Sequence, residues 1–255
     1  MHTNLLYLFL IFLASVVGGT MNAVAGGGTL VTFPTLLFAG VSPIVANATN
    51  TLGIWPAAAT SGWVYRKEIT TSRRVVTLLL AASLAGGFLG AWLLLHTPLH
   101  LFGRLIPLLL LFAASLFTLS GRVRAMAERM AIPDAHLAAL AVVGQFVVGA
   151  YGGYFGAAMG VLMLALFSLT LSGTIHSING IRALCGTTAN AIAVLVFIFG
   201  HRIDWFVAAV MAAGAIAGGT LGAVYLRRVN PVLARRIVLV IAWGMTAAYI
   251  LKMGL

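Results

Sequence analysis

Acidic side chains are almost missing from this chain. Of 255 residues only four are Asp or Glu, against fifteen Lys or Arg, and charged residues together make up 7%. A soluble domain carries charge on roughly a quarter of its residues, so this chain cannot keep its own surface hydrated. The single cysteine, Cys185, excludes an intrachain disulfide and reads as a small core residue. Apolar runs that never alternate exclude the strands of a membrane β-barrel. The N-terminus, Met1-His2-Thr3-Asn4, has no Lys or Arg before it turns apolar. It therefore lacks the basic start of a cleaved signal peptide, and the first segment is expected to be retained. The net charge of +11 falls in short clusters at segment ends, with no basic face and no aromatic platform. That pattern argues against nucleic acid as a partner and for membrane topology.

What the chain does have is lipid-compatible surface. Hydrophobic residues make up 62% and mean hydropathy is +1.09. At about 20 residues per span, there is room for roughly eight to ten helices and no separate soluble domain. Breaking the runs at charges, Pro and Gly clusters predicts segments at 5–24, 29–39, 43–65, 73–95 and 101–121, then at 134–154, 157–171, 174–199, 203–226 and 231–253. A repeat organises them. Ala85-Gly86-Gly87-Phe88-Leu89-Gly90-Ala91 returns 132 positions later as Ala217-Gly218-Gly219-Thr220-Leu221-Gly222-Ala223. We therefore expect an all-α polytopic membrane protein of two inverted-topology repeats, 1–125 and 126–255, within one integral membrane domain. These two Gly motifs suit close helix packing, as small residues do in membranes.

In each half the second segment is short and is entered through a Gly-rich corner, Gly26-Gly27-Gly28 in one and Gly152-Gly153 through Gly156 in the other. Paired, broken segments of this kind point to a transporter binding site. Basic residues choose the topology. If all ten segments cross, one side holds Arg66, Lys67, Arg73, Arg74, Arg122, Arg124, Arg129, Arg227, Arg228, Arg235 and Arg236, and the other only Arg104, Arg202 and Lys252. If the short segments dip and return, the split weakens to nine against five. Ten crossings with both termini outside fit better.

The most specific text runs from Gly18-Gly19-Thr20-Met21-Asn22-Ala23-Val24-Ala25-Gly26-Gly27-Gly28-Thr29-Leu30 through Pro34 to Gly40-Val41-Ser42-Pro43-Ile44-Val45-Ala46-Asn47-Ala48-Thr49-Asn50. It resembles the sulfite exporter TauE/SafE family of anion permeases, and the likeness covers nearly the whole chain. The second half departs from the pattern, with Ala157 and Ala158 in the place of glycines and His176-Ser177-Ile178-Asn179-Gly180 in the place of a second Ala-Asn-Ala-Thr-Asn run. The resemblance implies a carrier exporting sulfite or a small organosulfonate such as sulfoacetate across a bacterial inner membrane.

An anion site is also expected from the residues alone. Helix starts expose unpaired N–H groups and the positive end of the dipole. Here such starts fall near Gly corners at Thr29, Pro43, Ala157 and Thr174. Three successive glycines at Gly26, Gly27 and Gly28 allow a ligand to approach the backbone. Inside the spans, Asn47, Thr49, Asn50 and Thr51 cluster in the first half, and Asn179, Arg182, Thr187, Thr188 and Asn190 in the second. Polar groups in lipid must face one another or a wet cavity. All four acids, Glu68, Glu128, Asp134 and Asp204, fall in predicted loops or at helix ends. A bound oxyanion is therefore the counter-charge expected for Arg182. The expected substrate-binding set is Gly26, Gly27, Gly28, Asn47, Thr49, Asn50, His176, Asn179 and Arg182.

Competing functions fit less well. Ser61-Gly62 and His176 do not form a nucleophile elbow, and no metal-ligand spacing is present, so no catalytic residue, metal or cofactor is expected. A scaffold would not need paired Gly corners and an Arg inside a span. An anion channel, or a carrier of another small organic anion, remains the alternative. The expected partners are a small anion and the lipid bilayer, with homo-oligomeric assembly left open. Carboxylates that would couple transport to protons or sodium are absent from the predicted spans, and His176 is the one imidazole near the polar cluster.

Overall fold

The computed structural model describes residues 5–24, 27–65, 69–129, 134–225 and 231–253, and among them there is no strand. Ten helices follow in order: α1 (Leu5–Val24), α2 (Thr29–Phe38), α3 (Pro43–Tyr65), α4 (Arg73–His96), α5 (Leu99–Arg129), α6 (Asp134–Tyr154), α7 (Met159–Thr170), α8 (Ile175–Phe199), α9 (Trp205–Tyr225) and α10 (Pro231–Met253). Five of them, α1, α4, α5, α6 and α8, contain apolar stretches of 18 residues or more. The outer surface is apolar too, with Leu5, Phe199 and Val240 largely exposed. An all-helical molecule with such a surface belongs in lipid.

Local chemistry sets the boundaries. Gly40 takes a left-handed φ of +84° and closes α2, with Val41 N donating to Leu36 O at 3.0 Å. The Thr174 hydroxyl caps α8 by accepting from Ser177 N at 3.2 Å. Asp204 caps α9 by accepting from Val207 N at 3.1 Å. Helix α5 runs eight residues past its expected end at 121. Its tail, Arg122-Val-Arg-Ala-Met-Ala-Glu-Arg129, leaves the apolar pattern but is rich in strong helix formers.

Helix directions follow from the glycine contacts. In the pair α1 and α9, Gly214 lies against Phe12 and Gly218 against Val16. In the pair α4 and α6, Gly86 lies against Phe146 and Gly90 against Ala150. Both pairs therefore run parallel. A Cβ at Gly86, Gly90 or Gly218 would fall on a carbonyl oxygen of the facing helix, so the repeated Gly motifs serve backbone-to-backbone packing. Helix α3 runs with α9, pairing Gly53 with Met211 and Ala57 with Gly219, and α8 runs with α4, pairing Gly87 with Ala189 and Leu95 with Gly200. The start of α3 meets the end of α6, where Asn47 Nδ2 donates to Tyr154 O at 3.2 Å. The start of α8 meets the residues before α4, where Thr70 N donates to Ser177 Oγ at 3.0 Å. Helices α3 and α8 thus lie in the centre, running in opposite senses.

The short helices measure about 15 Å for α2 and 18 Å for α7 at 1.5 Å per residue. Both fall well short of a hydrocarbon core of about 30 Å. Each starts inside the bundle and runs outward. Helix α7 turns back along α6, with Met159 beside Gly152 and Leu166 beside Gly144. The start of α2 lies between α1 and α3, with Gly28 and Thr32 against Gly18 and with Thr29 and Thr32 both meeting Asn50.

Candidate functional site

The two broken entries meet at one cavity of about 90 Å³. Asn22 of α1 and Thr29, the first residue of α2, form one wall. Gly156 and the first turns of α7, with Met159, Gly160 and Met163, form a second. Ile54 of α3 and a stripe of α8 complete it, with Arg182, Ala183, Gly186, Thr187 and Asn190. Spacings of three and four residues put these five side-chain positions on one helical face. At roughly 10–15 Å³ for each water-sized occupant, the space holds only a small molecule.

The lining mixes polar and apolar side chains. Arg182 is a lining residue, and among the described residues no carboxylate lines the cavity. The N-cap residues of α2 and α7, Gly28 and Ala158, make no side-chain capping bond. Both helices therefore bring the positive ends of their dipoles to this space. The α7 corner is bent by Gly156 (φ +77°) and by Ala158 in the left-handed conformation (φ +59°), and the Tyr151 hydroxyl secures it by donating to Ala157 O at 2.6 Å. An alanine in that conformation stores about 1–2 kcal/mol of strain. The α2 corner is held by Asn22, whose Oδ1 accepts from Gly28 N at 3.1 Å.

The expected site residues separate on this geometry. Arg182 lines the cavity. Asn50 is fully buried directly behind the wall, accepting from the Thr32 hydroxyl and donating to Thr29 Oγ1 at 3.5 Å. Asn47 and Thr49 lie away from the cavity. Asn47 binds α6 as described above, and Thr49 Oγ1 accepts from Asp204 N at 3.0 Å, tying α3 to the start of α9. Gly26 lies outside the described residues. Gly27 packs on the Phe117 ring and Gly28 on the α1 backbone at Gly18, so both glycines are used for contact between helices. Asn179 is half-buried one turn before Arg182, outside the cavity lining, and His176 is exposed at the start of α8. Lining residues that the sequence did not single out include Asn22, Ile54, Met159, Met163 and Gly186, while Thr187 and Asn190 belong to the polar cluster but not to the expected binding set. Stepping from Arg182 by four along α8 reaches Gly186 and Asn190, which was the available signal. The methionines carried none.

The family described as "Sulfite exporter TauE/SafE" matches residues 11–249, almost the full chain. The chain belongs to that family. A "Probable membrane transporter protein" of Haemophilus influenzae is 27% identical over 248 residues, covering 97% of this chain and 96% of the relative. The "Probable membrane transporter protein YfcA" of Escherichia coli K12 is 28% identical, covering 95% and 89%. "Probable membrane transporter protein ORF9" of a Sinorhizobium species is 28% identical, covering 84% and 81%. No solved structure matches. This TauE/SafE member is accordingly a multi-pass membrane transporter, and its relatives carry transporter rather than enzyme names.

Proposed function

We propose that this transporter is a secondary carrier of small sulfur-containing anions, sulfite or a compact organosulfonate, exporting them across a bacterial inner membrane. The observation that carries the reading is the Arg182 guanidinium in a small cavity entered by two helix N-termini. Fixed dipoles and a forked cation replace the water around an oxyanion without needing to reorganise. Thr29, Thr187 and Asn190 offer neutral hydrogen-bonding groups on the same walls. Asn179, on the same face of α8 one turn nearer its start, lies on the path towards that end.

Alternation between inward- and outward-facing states follows in this reading from inverted repeats. Support comes from α3 and α8, which match under a shift of 132 residues yet run in opposite senses. Helices α1, α3 and α9 run one way and α4, α6 and α8 the other, which favours ten passages and a basic cytoplasmic face around 66–74, 122–130 and 227–236. Counterflow of labelled sulfite in proteoliposomes tests the function. Preloading with unlabelled sulfite or sulfonate accelerates uptake in a carrier. A channel shows no such acceleration, and that result would reject the carrier reading.

A further inference from the structure

The cavity draws unequally on the two halves of the sequence, so the halves differ where it lies. Shifting α3 by 132 residues gives α8, so Ile54 corresponds to Gly186, and both line the cavity. One turn earlier, Asn50 corresponds to Arg182. The first half thus fills its position with a buried isoleucine and backs it with a neutral amide. The second half leaves the equivalent position without a side chain and sets a cation one turn away on the same helical face.

Helix packing does not require a glycine at 186. A Cβ at Gly90 or Gly218 would strike backbone of the facing helix. At Gly186 its nearest neighbours would be Met159 Cε at 3.7 Å and Met163 Sδ at 3.9 Å, which is ordinary van der Waals contact with two flexible tips. Glycine inside a helix is less favourable than alanine, and the contacts around Gly186 leave room for a Cβ. What an added methyl group would take is cavity space.

We propose that Gly186 is the size selector of the site, its missing side chain setting how large a substituent an anion can carry beside Arg182. The inference rests on the anion-carrier reading. Arg182 holds the charged head, and the substituent lies over Gly186 between Ile54 on one side and the thioethers of Met159 and Met163 on the other. The favoured class is therefore a small oxyanion bearing at most a compact, weakly polar group. Ile54 also lines the cavity, so shortening it should have the opposite effect from enlarging Gly186.

Counterflow in proteoliposomes with two graded series tests this: sulfite, methanesulfonate, ethanesulfonate and benzenesulfonate, and formate, acetate, propionate and butyrate. Gly186→Ala should lower transport of the largest carried anion relative to the smallest by about tenfold or more, the scale of one methylene in a close pocket. Ile54→Ala should admit an anion one step larger than wild type accepts, a gain that damaged folding cannot produce. Grading confined to carboxylates would uphold the size selector while removing the sulfur assignment. Equal loss across all sizes, or no change in either variant, would overturn the proposal.

Discussion

The indole N–H of Trp55 donates to the backbone carbonyl of Thr187 at 3.1 Å, and these residues are 132 positions apart. Each is the other's counterpart in the duplicated halves. Under the proposed two-repeat organisation, exchanging the halves would map the crossing of α3 and α8 onto itself and put this bond on the pseudo-symmetry axis. Thr187 also lines the cavity, most of whose lining comes from the second half of the sequence. Trp55→Phe keeps the ring packing and removes the donor. We expect a loss of about 1 kcal/mol of stability with anion affinity little changed, read from thermal melts of the detergent-purified protein. An unaltered melt would mean that this bond contributes nothing to joining the halves.

Glycines of the two repeated motifs should differ sharply from glycines in open space. A Cβ at Gly90 or Gly218 meets a backbone carbonyl across the interface, whereas one at Gly244 meets nothing within 4 Å. Gly90→Ala and Gly218→Ala should each destabilise by about 1–3 kcal/mol or more through overpacking. Gly244→Ala should be neutral or gain up to about 1 kcal/mol from helix propensity. Size-exclusion profiles across a temperature series provide the comparison. Equal behaviour of the three variants would contradict close backbone packing as the role of the repeat.

Topology is open to labelling because Arg73 and Arg202 are both exposed, while native Cys185 is fully buried and gives little background. With an impermeant maleimide on intact cells, Arg202→Cys should react and Arg73→Cys should react only after permeabilisation. The opposite pattern would reverse the orientation of the whole bundle.

Most of the fold was legible because hydrophobic runs, punctuated by charge and glycine, report directly what lipid requires. Nine of the ten helices lie within two residues of their expected boundaries at each end. The exception, α5, overran because amphipathic helix formers carry a helix past the apolar stretch. The site was legible only in part. Arg182 could be placed because a charge inside a span has few tolerable environments. Asn47 and Thr49 could not, since a buried amide or hydroxyl advertises the need for a partner but not its identity. Their partners, Tyr154 and Asp204, are 107 and 155 residues distant. Gly27 and Gly28 share that ambiguity, because close approach to a ring or to another helix needs the same missing side chain as close approach to a ligand.

The central claim is that the cavity binds an anion through Arg182, and equilibrium binding of sulfite to the purified protein tests it most directly. Arg182→Ala should weaken binding by about 2–4 kcal/mol, the range for truncating one side of a desolvated charge pair, or roughly 30- to 1,000-fold in Kd. Arg182→Lys should recover part of this, keeping the charge but losing the planar fork that matches an oxyanion. Wild-type affinity in a monodisperse Arg182→Ala protein would show that the anion is held elsewhere and would contradict the account.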